Sequence, residues 1–362
     1  MSYIGGNTNP GNYIGSHPVI GIASSFPNFR NRIINGDMRI DQRNAGSSVT
    51  VNGNALFFTV DRFAGLGNGP AGVFTLQQDS SAPAGFVNSI KATVTTIDSS
   101  ISSENYRVQH KIEGSNVADL SFGTASAKTI TLSFWVRSSE TGVFGASIKN
   151  SAANRSYPFT YSISSADTWE YKTVTITGDT TGTWLTDTGI GIWITWSLGG
   201  DANNTAGAWV GSNSVGATGQ INLMATLNAT WYITGVQLEE GTVATPFEHR
   251  PYGTELSLCQ RYYQTLSHML GICSSSSTAQ AVGMFPTSMR STPAVGSSGV
   301  LNIQGDGATL STQSAVSVSN NNSTKNSLNV SCGNFSGLVQ SRALYIAVPA
   351  NNSNVLILNA EL

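Results

Sequence analysis

The chain has 362 residues, enough for two domains of ordinary size, and only 10% of them are charged. Soluble domains usually contain roughly 25% charged residues, so neutral Gly, Ser, Thr and Asn must form most of this surface. The formal net charge of −2, without a basic stripe, argues against nucleic acid or an anionic membrane surface as a partner. No apolar run reaches the roughly 18 residues of a membrane span, and the N-terminus lacks a secretory signal. We therefore expect synthesis in a cytoplasm, without membrane insertion.

The first segment, residues 1–28, is rich in Gly, Asn and Pro and has no periodic apolar pattern. Such a segment buries too little apolar surface to fold alone, so it is either disordered or ordered by a partner. Its near-repeat YIGGNTNPGNYIG favours docking, with a flexible leader as the alternative.

A series of short strands follows over residues 29–252. Each run is rich in β-branched and aromatic residues and ends at a turn cluster of Gly, Asn, Asp or Ser. This spacing is typical of an all-β, two-sheet sandwich. The runs are SVTVNG, FFTVDRF, VFTLQQ, IKATVTT, YRVQHKI, TITLSFWVR, GVFGASIK, YPFTYSIS, YKTVTITG, GIGIWITWSL and TWYITGVQL.

Two of these strands place a tryptophan opposite their apolar face. In LSFWVR the alternation puts Trp135 and Arg137 on the polar side, and in GIGIWITWSL it does the same for Trp193 and Thr195. Trp196 falls on the apolar face and is predicted to lie in the core. Sugar rings pack their C–H faces on Trp and Tyr beside directional polar groups, so the four polar-side residues are candidate glycan ligands. The alternative is that a loop or a neighbouring subunit covers these tryptophans.

A helix is predicted over residues 253–269, with Thr254 as its cap, and it would link the sandwich to a second small β-domain over 270–362. The final run NVLILNAEL predicts that the last strand extends to the last residue. The three cysteines are an odd number without metal-like spacing and are interpreted as free thiols; a disulfide between the first two is the alternative. They are Cys259, Cys273 and Cys332.

The histidines, the carboxylates and the glycine-rich segments of the sequence carry no recognisable catalytic signature. The four histidines show no zinc-ligand spacing, and there is no GxSxG elbow, phosphate loop or dinucleotide fingerprint. Glu239 and Glu240 are adjacent and point to opposite faces of a strand, and Glu113 lies at a turn, so no carboxylate pair for glycoside hydrolysis stands out. We therefore expect no enzymatic activity.

One candidate metal site lies in the segment NGDMRID. Asp37 and Asp41 could hold a structural calcium, which prefers carboxylate and carbonyl oxygens. The alternative is a turn that leads into the first strand, as is common for an Asn-Gly-Asp cluster. No other cofactor is expected.

Several colinear blocks resemble the carbohydrate-binding-module-like domain of bacteriophage tail fibres and other virion appendage proteins. A more distant resemblance is to jelly-roll modules attached to polysaccharide-degrading enzymes, whose closing strand usually carries an Asp pair that helps to hold calcium. Here that position reads Thr234-Gly235, which weakens the calcium inference. FPTSMRSTPAV and the final ILNAEL are similar to the C-terminal β-domain of the same phage proteins. The blocks are NRIINGDMRIDQRNAG, FTVDRFAG, VQHKIEG, TLSFWVRSS, DTWEYKTVTITGD and YITGVQLEEGTVATPFEHRPYGTELSLCQRYYQ.

The resemblance implies that residues 29–252 form a jelly-roll β-sandwich of the galactose-binding or carbohydrate-binding-module type. It also implies a homotrimeric virion protein, assembled in the bacterial host cytoplasm and exposed on the particle. Residues 1–28 would anchor it to other virion proteins, and the sandwich would attach to host-surface polysaccharide. A tail fibre or receptor-binding protein is the leading interpretation. A head fibre or capsid decoration protein without an essential ligand is the alternative, and a polysaccharide depolymerase is the third.

Overall fold

The computed structural model describes residues 29–69, 71–201, 203–266, 268–297, 301–305, 308–313, 318–347 and 356–362. The predicted anchoring segment, residues 1–28, lies outside the described residues. In the described part, strands dominate, and none of the helices is long and apolar enough to cross a membrane.

The N-terminal region of the described chain contains fourteen strands and three single-turn 3₁₀ helices. The 3₁₀ helices span Gly114–Asn116, Ala118–Leu120 and Leu223–Ala225. The strands are β1 (Val49–Val51), β2 (Gly53–Phe58), β3 (Phe63–Gly67), β4 (Val73–Asp79), β5 (Ser89–Thr96), β6 (Asn105–Glu113), β7 (Ile130–Ser138), β8 (Gly142–Lys149), β9 (Ser156–Ile163), β10 (Glu170–Ile176), β11 (Ile190–Gly200), β12 (Asn203–Asn204), β13 (Gly216–Ala217) and β14 (Thr230–Glu240).

Two six-stranded antiparallel sheets pack face to face. The first, called the β14 sheet, has the order β1-β4-β5-β14-β7-β10, and the second, the β11 sheet, has the order β2-β3-β6-β11-β8-β9. From β5 to β8 each strand lies in the sheet opposite the preceding one, and β10, β11 and β14 alternate in the same way. This connectivity makes the domain a jelly-roll sandwich, as the sequence predicts.

The core lies between the two sheets and follows the period-two pattern of the strands. Leu132, Phe134 and Val136 of β7 are fully buried, and so is Trp196 of β11. The predicted core position of Trp196 is confirmed. The indole packs against Phe134, with ring centroids 6.0 Å apart, and the edge-to-face geometry is one that aromatic rings favour.

The run FFTVDRF, predicted as one strand, is instead the end of β2, a turn and the start of β3. Arg62 occupies this turn with φ +72°, a conformation that interrupts a strand. The carboxylate of Asp61 accepts a hydrogen bond from the main-chain N–H of Gln42 at 3.1 Å, which fixes the turn to the N-terminal segment.

The C-terminal region begins with one helix and continues with ten strands within the described residues. The elements are α1 (Tyr252–Gln260), β15 (Tyr263–Leu266), β16 (His268–Cys273), β17 (Ala279–Met284), β18 (Ala294–Ser297), β19 (Leu301–Gly305), β20 (Ala308–Gln313), β21 (Val318–Asn320), β22 (Ser327–Cys332), β23 (Ala343–Ala347) and β24 (Leu356–Asn359). They form a three-stranded sheet, β15-β24-β18, and a seven-stranded sheet, β20-β19-β23-β16-β17-β22-β21.

Helix α1 is shorter than the predicted 253–269. Its N-cap is Pro251, without a side-chain cap, rather than Thr254. It stops at Gln260 because Tyr263–Leu266 pairs with Leu356–Asn359, a strand almost a hundred residues later. All three cysteines are free, as predicted, and their side chains are buried. The last strand ends at Asn359 rather than at the last residue.

Ion pairs join the end of the chain to the sandwich. Glu361 binds Arg43 at 2.8 Å and also pairs with Arg62, and all three side chains are largely buried. Nearby, Arg261 donates two hydrogen bonds to Glu113 at 2.9 and 2.6 Å. Buried pairs of this kind are strongly destabilising to break because one charge would remain uncompensated.

The segment before β1 runs along the closing strand β14 at very close range. Val236 N–H donates to the Gly36 carbonyl at 2.9 Å, and a Cβ on Gly36 would lie 2.1 Å from the Val236 carbonyl oxygen. Glycine is therefore required in the Asn-Gly-Asp cluster by the approach of two backbones.

We expect Gly36→Ala to lower the free energy of unfolding by about 1–3 kcal/mol, because neither backbone has room for a methyl group. Urea denaturation followed by circular dichroism measures this change. Gly211→Ala is the matched control, since nothing lies within 4 Å of its Cβ position. Equal stability of the two variants would contradict the close approach.

Candidate functional site

An open aromatic groove of about 480 Å³ lies on the outer face of the β14 sheet. Trp135 of β7 and Tyr171 of β10 are register partners, with ring centroids 5.3 Å apart and planes tilted by 46°. Trp135 is half-buried, and Tyr171 is 44% exposed. These two rings form one wall of the groove. The predicted outward orientation of Trp135 agrees with this placement.

Three rings from loops form the other wall. Phe86 contacts Phe247 at 5.1 Å between centroids and His249 at 5.4 Å, and Phe247 contacts His249 at 4.9 Å. Because the rings support each other, their positions are fixed although they come from two separate loops.

Gly235 forms the floor between the two walls. It lies at a bulge of β14, where the pairing with β7 shifts between Thr234 and Gln237, and it has φ +61°. A Cβ there would be 2.7 Å from Phe86 and 3.1 Å from Trp135. The absence of a side chain at Gly235 therefore lets two rings reach the backbone. Thr234 is buried, and its hydroxyl donates to the Asn88 carbonyl at 2.7 Å.

Polar side chains lie beside the rings in the groove. Ser133, Thr245 and His249 line the groove, but Thr245 is held in place because its N–H and hydroxyl donate to Glu239 at 2.8 and 2.7 Å. An aromatic platform with a few fixed polar groups is the arrangement that binds sugar rings.

Arg137, the second predicted ligand on β7, lies on the same face and is already engaged. Its guanidinium donates to Ser81 Oγ and to Asp167 Oδ1, both at 3.0 Å, and lies 5.0 Å from the centroid of Tyr232. It therefore extends the polar border of the face beyond Trp135 rather than lining the groove.

Trp193 and Thr195 lie on the opposite side of the sandwich, on the outer face of the β11 sheet. Trp193 is half-buried, and its indole N–H donates to Gln109 Oε1 at 3.2 Å. Thr195 is fully buried because residues 214–217 cover it, and its hydroxyl donates to the Val215 carbonyl at 2.8 Å. Thr195, predicted as a glycan ligand, is therefore not accessible to a ligand, which corrects that prediction. The four predicted residues thus belong to two surfaces.

The predicted calcium ligands have other partners. Asp37 is buried and paired with Arg39, whose positive charge disfavours a second cation. Asp41 caps a turn, accepting the N–H groups of Arg43, Asn44 and Gly46 at 2.7–3.2 Å. No group of three or more His, Cys, Asp or Glu side chains suited to a metal occurs among the described residues. Calcium here stays an untested prediction, and we assign it no role.

The carboxylates considered for hydrolysis also have structural partners. Glu113 is buried, and hydrogen bonds from Arg261 and Tyr262 hold its pKa below the usual value against the opposing effect of burial. Glu239 is buried, whereas Glu240 is exposed and pairs with Lys128 at 2.9 Å. The two adjacent acids point to opposite faces, as predicted.

Sequence reasoning did not identify Tyr171, Phe86, Phe247 or His249. Tyr171 had a detectable signal, because EYKTVTI alternates and its outward positions include this tyrosine. The other three come from irregular segments, where no periodicity indicates the direction of a side chain.

No protein-family model and no curated protein sequence matches the chain. A sugar-binding protein described as putative, from Bacteroides thetaiotaomicron, is similar over 58% of this chain and 100% of its own, with 11% identity and a TM-score of 0.32. The enzymatically active domain of bacteriophage CBA120 tailspike protein 4 is similar over 59% of this chain and 22% of its own, with 10% identity and a TM-score of 0.32.

A family 11 carbohydrate-binding module of a Clostridium thermocellum cellulosomal cellulase is similar over 54% of this chain and 100% of its own, with 11% identity and a TM-score of 0.27. At these TM-scores the similarity carries no functional information. The sandwich architecture follows from the strand order of the chain itself.

Proposed function

We propose that the protein is a non-catalytic carbohydrate-binding subunit that holds a sugar ring in the groove between Trp135 and Tyr171. The observation that carries this proposal is the cross-strand pair of rings, 5.3 Å apart, at the side of an open groove of about 480 Å³. A pyranose ring has apolar C–H faces that pack on such rings, and its hydroxyls need polar groups such as Ser133 and His249 nearby.

The absence of catalysis is part of the proposal. Glycoside hydrolysis needs two carboxyl groups on either side of the scissile bond. The groove-lining residues include no Asp or Glu, and the carboxylate of Glu239, which lies behind Thr245, is occupied by hydrogen bonds.

The virion role rests on the colinear sequence blocks given above. We place the protein on a bacteriophage particle, as a tail fibre or receptor-binding protein that attaches to host-surface glycan, with residues 1–28 as the contact to other virion proteins. The alternative is a head fibre or capsid decoration protein without an essential ligand. The position of the chain at the tail tip or in the capsid lattice of a virion map distinguishes the two.

The binding proposal is tested with Tyr171→Ala on an array of bacterial surface polysaccharides. We expect about tenfold weaker binding to the neutral polysaccharides that the wild-type protein binds, because an aromatic contact of about 1.4 kcal/mol is lost. Tyr252→Ala is the matched control, since Tyr252 is also exposed but lies outside the groove. Unchanged binding of both Tyr171→Ala and Trp135→Ala would refute the site, and no binding by the wild-type protein would refute the function.

A homotrimer is the proposed assembly, and the C-terminal sheet offers a contact surface for it. A cleft of about 710 Å³ on this sheet is lined by Leu270, Val282 and Met284, whose side chains are exposed. Exposed apolar patches of this kind mark protein contacts.

Sedimentation equilibrium should give three times the chain mass for the wild-type protein and a lower mass for Met284→Lys, because the new charge would be buried in the contact. Val243→Lys, which changes an exposed apolar residue elsewhere, is the control. A wild-type monomer would contradict the proposed assembly.

A further inference from the structure

Three cationic side chains surround Trp193 on the outer face of the β11 sheet. Lys149 Nζ lies 4.1 Å from the centroid of its ring, Lys111 Nζ 5.0 Å and the Arg107 guanidinium carbon 5.5 Å. Lys111 and Lys149 are the register partners of Trp193 on the two flanking strands, β6 and β8. These four residues, with Gln109, are called the Trp193 cluster.

The cations of the cluster lack acidic side-chain partners. Lys149 donates to Asn213 Oδ1 at 3.0 Å and to the Ser214 carbonyl at 3.4 Å. Lys111 donates to a main-chain oxygen of Leu362 at 2.9 Å. In the described part of the chain, neither lysine forms an ion pair with an Asp or Glu side chain.

Arg107 also donates to neutral side-chain groups. Its guanidinium donates to Gln109 Oε1 at 3.0 Å and also to Asn105 Oδ1, both neutral amide oxygens. By contrast, Arg62 pairs with Glu361. On the opposite sheet, Lys91 lies 5.6 Å from the centroid of Tyr232 and has Asp79 within 3.9 Å.

Burial and mutual repulsion disfavour the charged forms of Lys149 and Lys111. Burial is the main cause that lowers the pKa of Lys149 to about 7, and Arg107 and Lys111 lower it further. Burial also lowers the pKa of Lys111 to about 8, together with repulsion from Arg62 and Arg107. An anion in contact with these groups would relieve both effects.

The cluster remains open to solvent on one side. Trp193 and Lys111 are half-buried rather than covered, whereas Lys149 and Gln109 form the buried base. A ligand can therefore reach the indole and the Lys111 ammonium group without displacing residues 214–217.

We propose that the Trp193 cluster binds the carboxylate of an acidic sugar residue, so that the protein recognises polysaccharides that contain uronic acids. The inference rests on the proposed carbohydrate-binding function and adds the class of ligand and a second site. A uronic acid combines a pyranose ring, which suits the indole, with a carboxylate, which suits the ammonium groups.

Isothermal titration calorimetry with polygalacturonate at pH 6 tests the proposal on the full chain. Methyl-esterified polygalacturonate is the matched ligand, since it has the same sugar without the charge. We expect the acid form to bind at least about tenfold more tightly, because a hydrogen bond to a charged group is worth roughly 1.5–3 kcal/mol, or at least about tenfold in affinity.

Lys111→Met should weaken binding of the acid form at least about tenfold, because it removes the ammonium group that a ligand can reach. Methionine nearly matches the length of lysine, and thermal unfolding verifies that the variant folds. Lys149→Met provides a second test with a smaller expected loss, because Lys149 is buried and attracts the carboxylate through its charge. Lys91→Met is the control, because this lysine also lies over an aromatic ring but has an acidic partner.

Binding of the acid form should also weaken as the pH rises from 6 to 9. Lys149 and Lys111 lose protons over this range, whereas the uronic acid carboxylates stay ionised; Arg107, with a pKa of about 10, stays charged through most of it. Because a bound anion raises both lysine pKa values, the midpoint should lie above pH 7.

Equal affinity for the acid form and the ester, or no binding of the acid form, would overturn the inference. So would full binding by both Lys149→Met and Lys111→Met. The proposed function is tested separately on the array. Binding of neutral polysaccharides through Trp135 and Tyr171 would support it even if polygalacturonate does not bind.

Discussion

The buried guanidinium of Arg250 fixes the beginning of the sandwich to its end. It donates to the carbonyls of Asn31 and Ile33, more than two hundred residues earlier, and to the Glu255 carboxylate at 3.3 Å at the start of α1. Glu255 in turn accepts the N–H of Asn35 at 2.5 Å. A buried charge is tolerated only when it is paired and hydrogen-bonded, so Arg250 and these acceptors must be in place together. Asn31 also donates from its side-chain amide to the Val236 carbonyl of β14 at 3.0 Å, so strand β14, the N-terminal segment and the helix form one unit.

This closure also shapes the groove. The N-terminal segment reaches β14 at Gly36, whose carbonyl accepts the N–H of Val236. Val236 lies within the bulge of β14, and the same bulge turns Gly235 to φ +61° between Phe86 and Trp135. A regular strand would place a side chain where the two rings meet. The proposed sugar site is therefore a consequence of how the sandwich closes.

The period-two pattern of the sequence was sufficient to predict the sandwich and the outward faces of Trp135 and Trp193, because alternation is a local property of a strand. Contacts between distant segments could not be predicted in this way. Residues 214–217 cover Thr195, and the pairing of Tyr263–Leu266 with a later strand ends the helix early. Loop residues such as Phe247 carry no periodic signal, so the wall of the groove that the loops form could not be predicted from the sequence.

The NMR signals of the tryptophan indole N–H groups, recorded during titration with oligosaccharides of a neutral polysaccharide that binds on the array, test the central claim most directly. The half-buried Trp135 lies in the groove, whereas Trp196 is in the core. The proposed site predicts a saturable shift of the Trp135 signal with no change at Trp196. Saturable binding that leaves the Trp135 signal unmoved would contradict the account.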